Sequence, residues 1–531
     1  MMDAPSTEPS NPRAAPSRRS SARSLALALA LVTAAVWAPS IANGFVWDDQ
    51  YDILRSDRLH HARAVVDVFA HHAMWSADQP EVAISTYRPL ALATLAVDWQ
   101  LWHEHPAGYH ATNVALHVLA TLALFLALCT LVDDERTAAL LALVFALHPA
   151  NAEAVAWING RSEMLALGAG AIAIWAARTQ DRSVARTVVL VLALLAAMLA
   201  KETGVVFAPV AIALATGRRG RALVGAIVAV AAYASLRAFA LGHGAVPGNA
   251  AAAVHTLGPV LAHATVAALV PWRRAPIELS TWISALSPHA RLAWSLAGAA
   301  LVCAVLLLAL RPGRRRLAAI ALAWWLASIA PTATIAALDY PWPGLGRWLY
   351  VGLPGLILTV YLAARTLADR LPARTVRLGF PLAVAVGACF AFLAQRATAT
   401  WRDDESLYAS MVDETPTDAW AWRALGTVRL AQARDAEAAD CFHRATTLDR
   451  TEEVHAAFAL EAYAWARLGR CAEAEAQFRA HPETPALKTE DFDAVAADCR
   501  ARANEPLTTT TRRVKSTHAN GETGVDASTK R

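Results

Sequence analysis

The feature that most constrains this chain is the recurrence of apolar windows long enough to cross a bilayer. A crossing helix takes about 20 predominantly apolar residues. Such windows lie at roughly 25–41, 109–131, 137–150, 160–178, 186–200, 203–216, 221–241, 290–310, 316–337, 345–366 and 378–396. In lipid every backbone polar group must be satisfied internally, so the pattern predicts an all-α polytopic bundle of about eleven spans. Composition agrees, with 56% apolar and 17% charged residues in a chain of 531. The net charge of +4 sits on clustered arginines rather than on a basic face of a polar domain, which excludes a nucleic-acid partner.

The arginines orient the bundle. With the N-terminus inside, the expected cytoplasmic loops are 132–136, 179–185, 217–220, 311–315 and 367–377, holding Arg136, Arg182, Arg218, Arg219, Arg311, Arg314, Arg315, Arg370, Arg374 and Arg377. This follows the positive-inside rule. A cleaved signal peptide is the rival reading of the first window, but no convincing small-residue cleavage site follows and many further spans do. Segment 254–272 is apolar yet carries His255 and His263, and is expected to be a partly inserted or peripheral helix. A twelfth span there would put 311–316 outside, against the rule. The loop 43–108 and everything after about 396 therefore fall on the non-cytoplasmic side.

Four regions follow. Residues 1–22, rich in Pro, Ser and Arg, are expected to be disordered and cytoplasmic. Residues 23–397 form the membrane domain, in which 43–108 is the first non-cytoplasmic loop and Pro89–Leu101 within it an interfacial helix. Residues 398–502 carry tetratricopeptide-like offsets: Trp422, Leu425, Gly426, Ala438, Phe442 and Ala445, then Phe458, Ala462, Ala474 and Phe478 shifted by 36 residues, with a third half-unit at Thr489–Cys499. This predicts a short helical solenoid that leans on the membrane domain or on a partner. Residues 503–531 form a disordered tail. Of the six cysteines, Cys471 and Cys499 are candidates for a disulfide if this end is outside the cytoplasm.

Candidate chemistry gathers at one face of the bundle. Asp48 and Asp49 follow the first span directly. In an extended segment neighbours point opposite ways, so one of them is the working base; the alternative is a pair of solvated loop acids or a helix cap. Tyr87-Arg88-Pro89 sets a guanidinium at the start of the interfacial helix, suited to a phosphate or to lipid headgroups. His110, Asn113 and His117 follow, the last two on one helical face, as site groups or as interhelical hydrogen bonds. His148, Glu153 and Arg161 share the same side. So do Lys201, the only lysine in the membrane region, with Glu202, and Arg347 with Tyr350. A cation there suits an anionic lipid head, or snorkels at the interface. The pairs His60-His61 and His71-His72 lack metal-ligand spacing, so no metal is expected.

Phe45-Val46-Trp47-Asp48-Asp49 with Ile53, then Tyr87-Arg88-Pro89-Leu90, Gly108-Tyr109-His110 with Asn113 and His117, His148-Pro149 with Glu153-Ala154 and Arg161, Lys201-Glu202, and Arg347-Trp348-Leu349-Tyr350 occur in that order. The ordered set, covering about 24–482, resembles the transmembrane and tetratricopeptide-repeat O-mannosyltransferases and their bacterial relatives. These resemble in turn the C-type, polyprenyl-phosphate-dependent glycosyltransferases. The resemblance implies an acidic motif in the first non-cytoplasmic loop with Asp48 as base, and no metal or other cofactor. The chain departs from the family pattern at Ser56-Asp57, where an Asn is expected, and at Gly346, where a Glu is expected.

The expected function is an inverting membrane glycosyltransferase of a bacterial inner membrane. It would move a monosaccharide from a polyprenyl-phosphate donor to a hydroxyl acceptor, on protein Ser/Thr or on an envelope glycan, at the non-cytoplasmic face. Asp48 and Asp49 are the candidate catalytic acids. Arg88, Arg161, Lys201 and Arg347 are the candidate phosphate-binding cations. Tyr87, His110, Asn113, His117, His148, Glu153, Glu202 and Tyr350 are supporting groups. Membrane lipids and a protein held by the repeats are the further partners. The alternative is a non-catalytic membrane scaffold whose repeats recruit envelope-assembly partners. A transporter would instead show broken helices with charges near the bilayer midplane.

Overall fold

The computed structural model describes residues 18–73, 86–178, 183–216, 219–241, 250–271, 286–309, 314–336, 346–372, 379–448, 452–481 and 489–504. Among them every regular element is a helix. The two terminal segments expected to be disordered lie largely outside the described residues. The membrane domain runs α1 (Arg18–Trp37), α2 (Pro89–Trp102), α3 (Pro106–Leu128), α4 (Glu135–Ala146), α5 (Ala152–Ala156), α6 (Arg161–Arg178), α7 (Val184–Ala200), α8 (Phe207–Leu214), α9 (Arg219–Leu241), α10 (Ala250–Leu269), α11 (Pro288–Ala309), α12 (Arg315–Ala336), α13 (Leu353–Ala368) and α14 (Gly379–Thr400).

Among the described residues four helices are long and apolar enough to cross a membrane: Ser21–Ala42, Pro106–Leu128, Arg219–Leu241 and Pro381–Thr400. A fifth crossing arises if α4 counts with Pro149–Ala156, which bends away from it by 54°. The expected count of eleven uninterrupted spans is not reached among the described residues. Pro149, lacking an N–H, ends the expected 137–150 span and starts a new turn. The 203–216 window yields α8 of only 8 residues behind a 3-10 turn. The 345–366 window starts late, because a separate short turn at Gly346–Leu349 precedes α13. The crossing helices show apolar outer faces, such as Leu223, Val224, Ile227 and Val228 of α9, as expected of an integral membrane protein.

Close helix contacts depend on small residues, as is usual in bilayers. A Cβ at Gly298 would lie 2.4 Å from the Cβ of Ala262, and one at Gly258 would lie 2.5 Å from Ser295 Oγ. These two contacts set α10 closely against α11. α10 is integrated into the bundle: Val260, Ala262, Ala264 and Ala268 are buried, and the Ala268 carbonyl meets His148 Nε2 at 2.8 Å. It is not peripheral. α2 also packs on the bundle, along one of its faces. Val97, Leu101 and Trp102 face outward, while Leu92, Leu95, Ala96 and Asp98 are buried.

The C-terminal region consists of α15 (Asp404–Glu414), α16 (Ala419–Ala431), α17 (Asp435–Leu448), α18 (Glu452–Arg467), α19 (Cys471–Ala480) and α20 (Thr489–Asn504). Asp403 caps α15 by accepting from Ser406 N at 2.7 Å, and Asp418 caps α16 by accepting from Ala421 N at 3.0 Å. Leu425, Gly426, Ala438, Phe442 and Ala445 are buried between α16 and α17. Ala462, Ala474 and Phe478 repeat the arrangement one hairpin later. Cys471 and Cys499 form a disulfide with Cα atoms 5.8 Å apart, tying α20 to α19. Closing a loop of 28 residues is worth about 3–4 kcal/mol in the chain-entropy account. Cys471→Ser is expected to lower the unfolding midpoint of this end and speed its proteolysis. Cleavage as slow as wild type, under conditions where the parent disulfide is intact, would contradict that.

Three clusters join these parts. The main core fills the helical bundle. A second packs Ile53, Leu59, Ala64 and Val68 of the first loop on Leu92, Leu95 and Ala96 of α2. A third sets Val46 and Trp157 against Trp401, Leu407, Tyr408, Met411 and Leu425. The acidic loop is therefore sandwiched between the bundle and the C-terminal helices.

Candidate active site

A cavity opens beside the acidic loop. It is lined by Asp48 and Asp52, Thr86 and Arg88, Trp157 and Asn159, Arg161 and Ser162, Lys201 and Arg347, with Leu92 and Leu95 as its apolar floor. These residues converge there from five separate stretches of sequence.

The acidic loop is wound tightly. Asp49 N donates to Val46 O at 3.1 Å, and Tyr51 N and Asp52 N both donate to Asp48 O, at 3.0 and 2.8 Å. The Asp49 carboxylate is fully buried and accepts from Val46 N and Asn159 N, each at 3.2 Å. It pins the loop to the α5–α6 turn and does not line the cavity. Asp48 does. Among the described residues no hydrogen-bond donor reaches its carboxylate. The two acids thus have different jobs, and Trp47, with φ of 56°, supplies the left-handed kink between Val46 and the acids. Asp52 also faces the cavity, and accepts from Asn159 Nδ2 at 3.0 Å.

Burial raises all three carboxyls. Asp48 rises to about 6, with Arg347 pulling it back. Asp52 rises to about 8, through burial and then repulsion from Asp48. Asp49 is pushed well above the usual carboxylate range, mainly by burial. Asp48 is the first of the cavity acids to ionise.

The four cations expected to meet a phosphate all lie on the cavity wall, and each is held by a carboxylate. Arg88 Nε lies 2.9 Å from Glu202 Oε2, Arg161 Nη1 2.7 Å from Asp98 Oδ2, and Arg347 Nη1 3.3 Å from Glu153 Oε1; Lys201 pairs with Glu163. Arg161, Lys201 and Arg347 are almost wholly buried, whereas the Arg88 side chain keeps 25% of its exposure. The cavity therefore carries no surplus of positive charge. Arg347 also lies over aromatic faces, 4.9 Å from the Trp157 ring and 5.5 Å from Trp47, and Lys201 sits 4.3 Å from the Trp348 ring. At Gly346, where the resemblance implies a Glu, a Cβ would lie 2.8 Å from Glu153 Oε2. The missing side chain leaves room for Glu153 to reach Arg347.

The remaining expected residues form the frame. Asn113 Nδ2 is within 3.2, 2.9 and 3.3 Å of the Val155, Trp157 and Ile158 carbonyls, holding the turn that presents Trp157. His117 bridges Tyr350 Oη at 2.7 Å and the Ala146 carbonyl at 3.0 Å. His110 meets the Gly44 carbonyl at 3.2 Å. His148 Nδ1 accepts from Ala150 N at 3.2 Å at the bend after α4. Tyr87 Oη donates to Phe69 O and its backbone N–H to Glu202, both at 2.8 Å. None of the three histidines lines the cavity. Sequence reasoning gave no role to Asp52, Asn159 or Trp157, nor to the partner acids Asp98 and Glu163. Asp98 and Glu163 were visible as acids in apolar helices, a signal that calls for a cationic partner.

No family model matches the chain. Mouse protein O-mannosyl-transferase TMTC3 is 33% identical over 126 residues, 24% of this chain and 14% of its own length. Drosophila melanogaster protein O-mannosyl-transferase Tmtc1 is 29% identical over 164 residues, 30% of this chain and 19% of its own. The chain thus spans less than a fifth of either relative in the matched region. A crystal structure of the Archaeoglobus fulgidus oligosaccharyltransferase aligns with 82% of this chain and 59% of its own at 13% identity and a TM-score of 0.39. In sequence, this acid-and-arginine membrane protein is similar to the protein O-mannosyl-transferases of the TMTC family.

Proposed function

We propose that this protein is a membrane glycosyltransferase that moves a monosaccharide from a polyprenyl-phosphate donor to a hydroxyl acceptor at the non-cytoplasmic face. The carrying observation is Asp48: a cavity-lining carboxylate without a hydrogen-bond donor among the described residues, beside four cations that are each matched by an acid. The acceptor oxygen attacks the anomeric carbon as the bond from that carbon to the phosphate oxygen breaks. The acceptor proton goes to Asp48, and the bond's electron pair leaves on the polyprenyl phosphate. In-line attack inverts the anomeric centre. The leaving phosphate is stable as an anion and needs no protonation and no metal. Arg88, the most accessible of the cations, is the first contact for it, with Arg347, Lys201 and Arg161 supplying field from the wall.

The topology reading rests on two supports. The arginine distribution favours an acidic loop on the outside. The Cys471–Cys499 disulfide suits an oxidising compartment. The C-terminal hairpins, read as tetratricopeptide repeats, would hold a protein or glycan acceptor near the cavity. Purified protein incubated with radiolabelled polyprenyl-phosphate mannose and a Ser/Thr-rich peptide should yield labelled peptide. Absence of transfer from this donor and from the glucose and N-acetylhexosamine analogues, to peptide and envelope glycan alike, would overturn the reading.

A further inference from the structure

The acidic loop is tied to the C-terminal region as well as to itself. Trp47, immediately before Asp48, has φ of 56°, a conformation that a bulky L-residue adopts only when its surroundings over-determine it. Its backbone N–H donates to Asp404 Oδ1 at 2.8 Å. Asp404 is the first residue of α15. Beside it, Gly44 N donates to Arg402 O at 2.8 Å, and Asn43 Nδ2 lies 3.3 Å from Thr398 O. The Trp47 ring stacks on Trp157 with centroids 5.1 Å apart and meets Trp401 at 6.4 Å and Trp420 at 6.5 Å. Trp157 lines the cavity, while Trp420 belongs to the first C-terminal hairpin.

We propose that Asp404 is a positioning residue for the acidic site: by accepting the Trp47 N–H it holds the left-handed kink that turns Asp48 onto the cavity wall. The C-terminal helices are then a structural part of the active site as well as a surface for the acceptor. The inference rests on the glycosyltransferase reading for its kinetic consequence but not for its structural one. Asp404 touches none of the cavity-lining acids directly. Its effect passes through one backbone bond, which an Asn side chain can also accept.

The test uses full-length Asp404→Ala and Asp404→Asn in detergent, with two readouts. Amide hydrogen exchange over 44–52 should speed up tenfold or more in Asp404→Ala and return to the wild-type rate in Asp404→Asn, while exchange in α6 stays unchanged. In transfer assays Asp404→Ala should lower kcat tenfold or more at nearly constant donor KM and move the acidic limb of the pH profile, because the burial of Asp48 and its approach to Arg347 change together. Asp404→Asn should restore both. Wild-type exchange in Asp404→Ala, or a rate and pH profile indistinguishable from wild type, would overturn the proposal. If no variant and no wild-type sample transfers sugar, the glycosyltransferase reading fails, and the exchange result alone decides whether Asp404 positions the loop.

Discussion

Asp48→Asn is expected to reduce sugar transfer by about 100- to 10,000-fold, the usual contribution of a general base, with donor affinity little changed. The amide has nearly the same shape, so the loop stays wound while the proton acceptor is gone. Asp49→Asn should behave differently. Its carboxylate binds two backbone N–H groups and faces away from the cavity, so its loss should appear as lowered stability with a smaller loss of rate. Equal transfer by Asp48→Asn and wild type would sink the base assignment. The pH dependence follows from the raised carboxyl of Asp48, at about 6. Activity should fall about tenfold per pH unit below that value as the base takes up a proton. Stability runs the other way. An acid whose folded pKa is raised favours the fold in its protonated form. The contribution of Asp48 and Asp52 is complete below about pH 4 and is lost as pH rises through about 6 and about 8. Working pH and pH of greatest stability should therefore differ. Rates and unfolding midpoints measured from pH 5 to 9 would detect it.

Arg161→Met is expected to destabilise the membrane domain by about 3–5 kcal/mol, since it leaves the Asp98 carboxylate buried without its cation. Arg161 is fully buried and contacts Thr94, Tyr109 O and Ile158 O besides Asp98. It ties α2, α3 and the start of α6 together at the cavity floor. Arg161→Met combined with Asp98→Leu should regain much of the loss, because replacing both charges removes the desolvation cost as well as the attraction. Thermal unfolding in detergent separates the cases. A single variant no less stable than the double would show that the pair does not hold these helices together.

Much of the candidate site was legible before any coordinates. Asp48, Arg88, Arg161, Lys201 and Arg347 stand out because charge inside an apolar chain is costly and seldom incidental, and all five line one cavity. What sequence could not supply was pairing. Asp98 and Arg161 are 63 residues apart in sequence, Arg88 and Glu202 114, and nothing local indicates which acid meets which base. The same limit applies to the spans. Hydropathy detects apolar length, but Pro149 and the breaks before α8 and α13 turn several windows into short or bent helices.

The acidic stretch shows the division most clearly. From sequence alone came an all-helical membrane chain, an arginine bias among its loops, helical hairpins after the last apolar window and the unusual pair Asp48-Asp49. Only the tertiary structure decided which acid faces the cavity, that Asp52 joins it there, and that Trp47 is held by Asp404 from 357 residues away. The reason is physical. Hydrophobic pattern and charge bias are properties of short windows and of the bilayer, which the sequence meets directly. The direction of a carboxylate depends on a left-handed kink, on buried N–H groups and on aromatic rings brought together from distant segments, and no local pattern records that convergence.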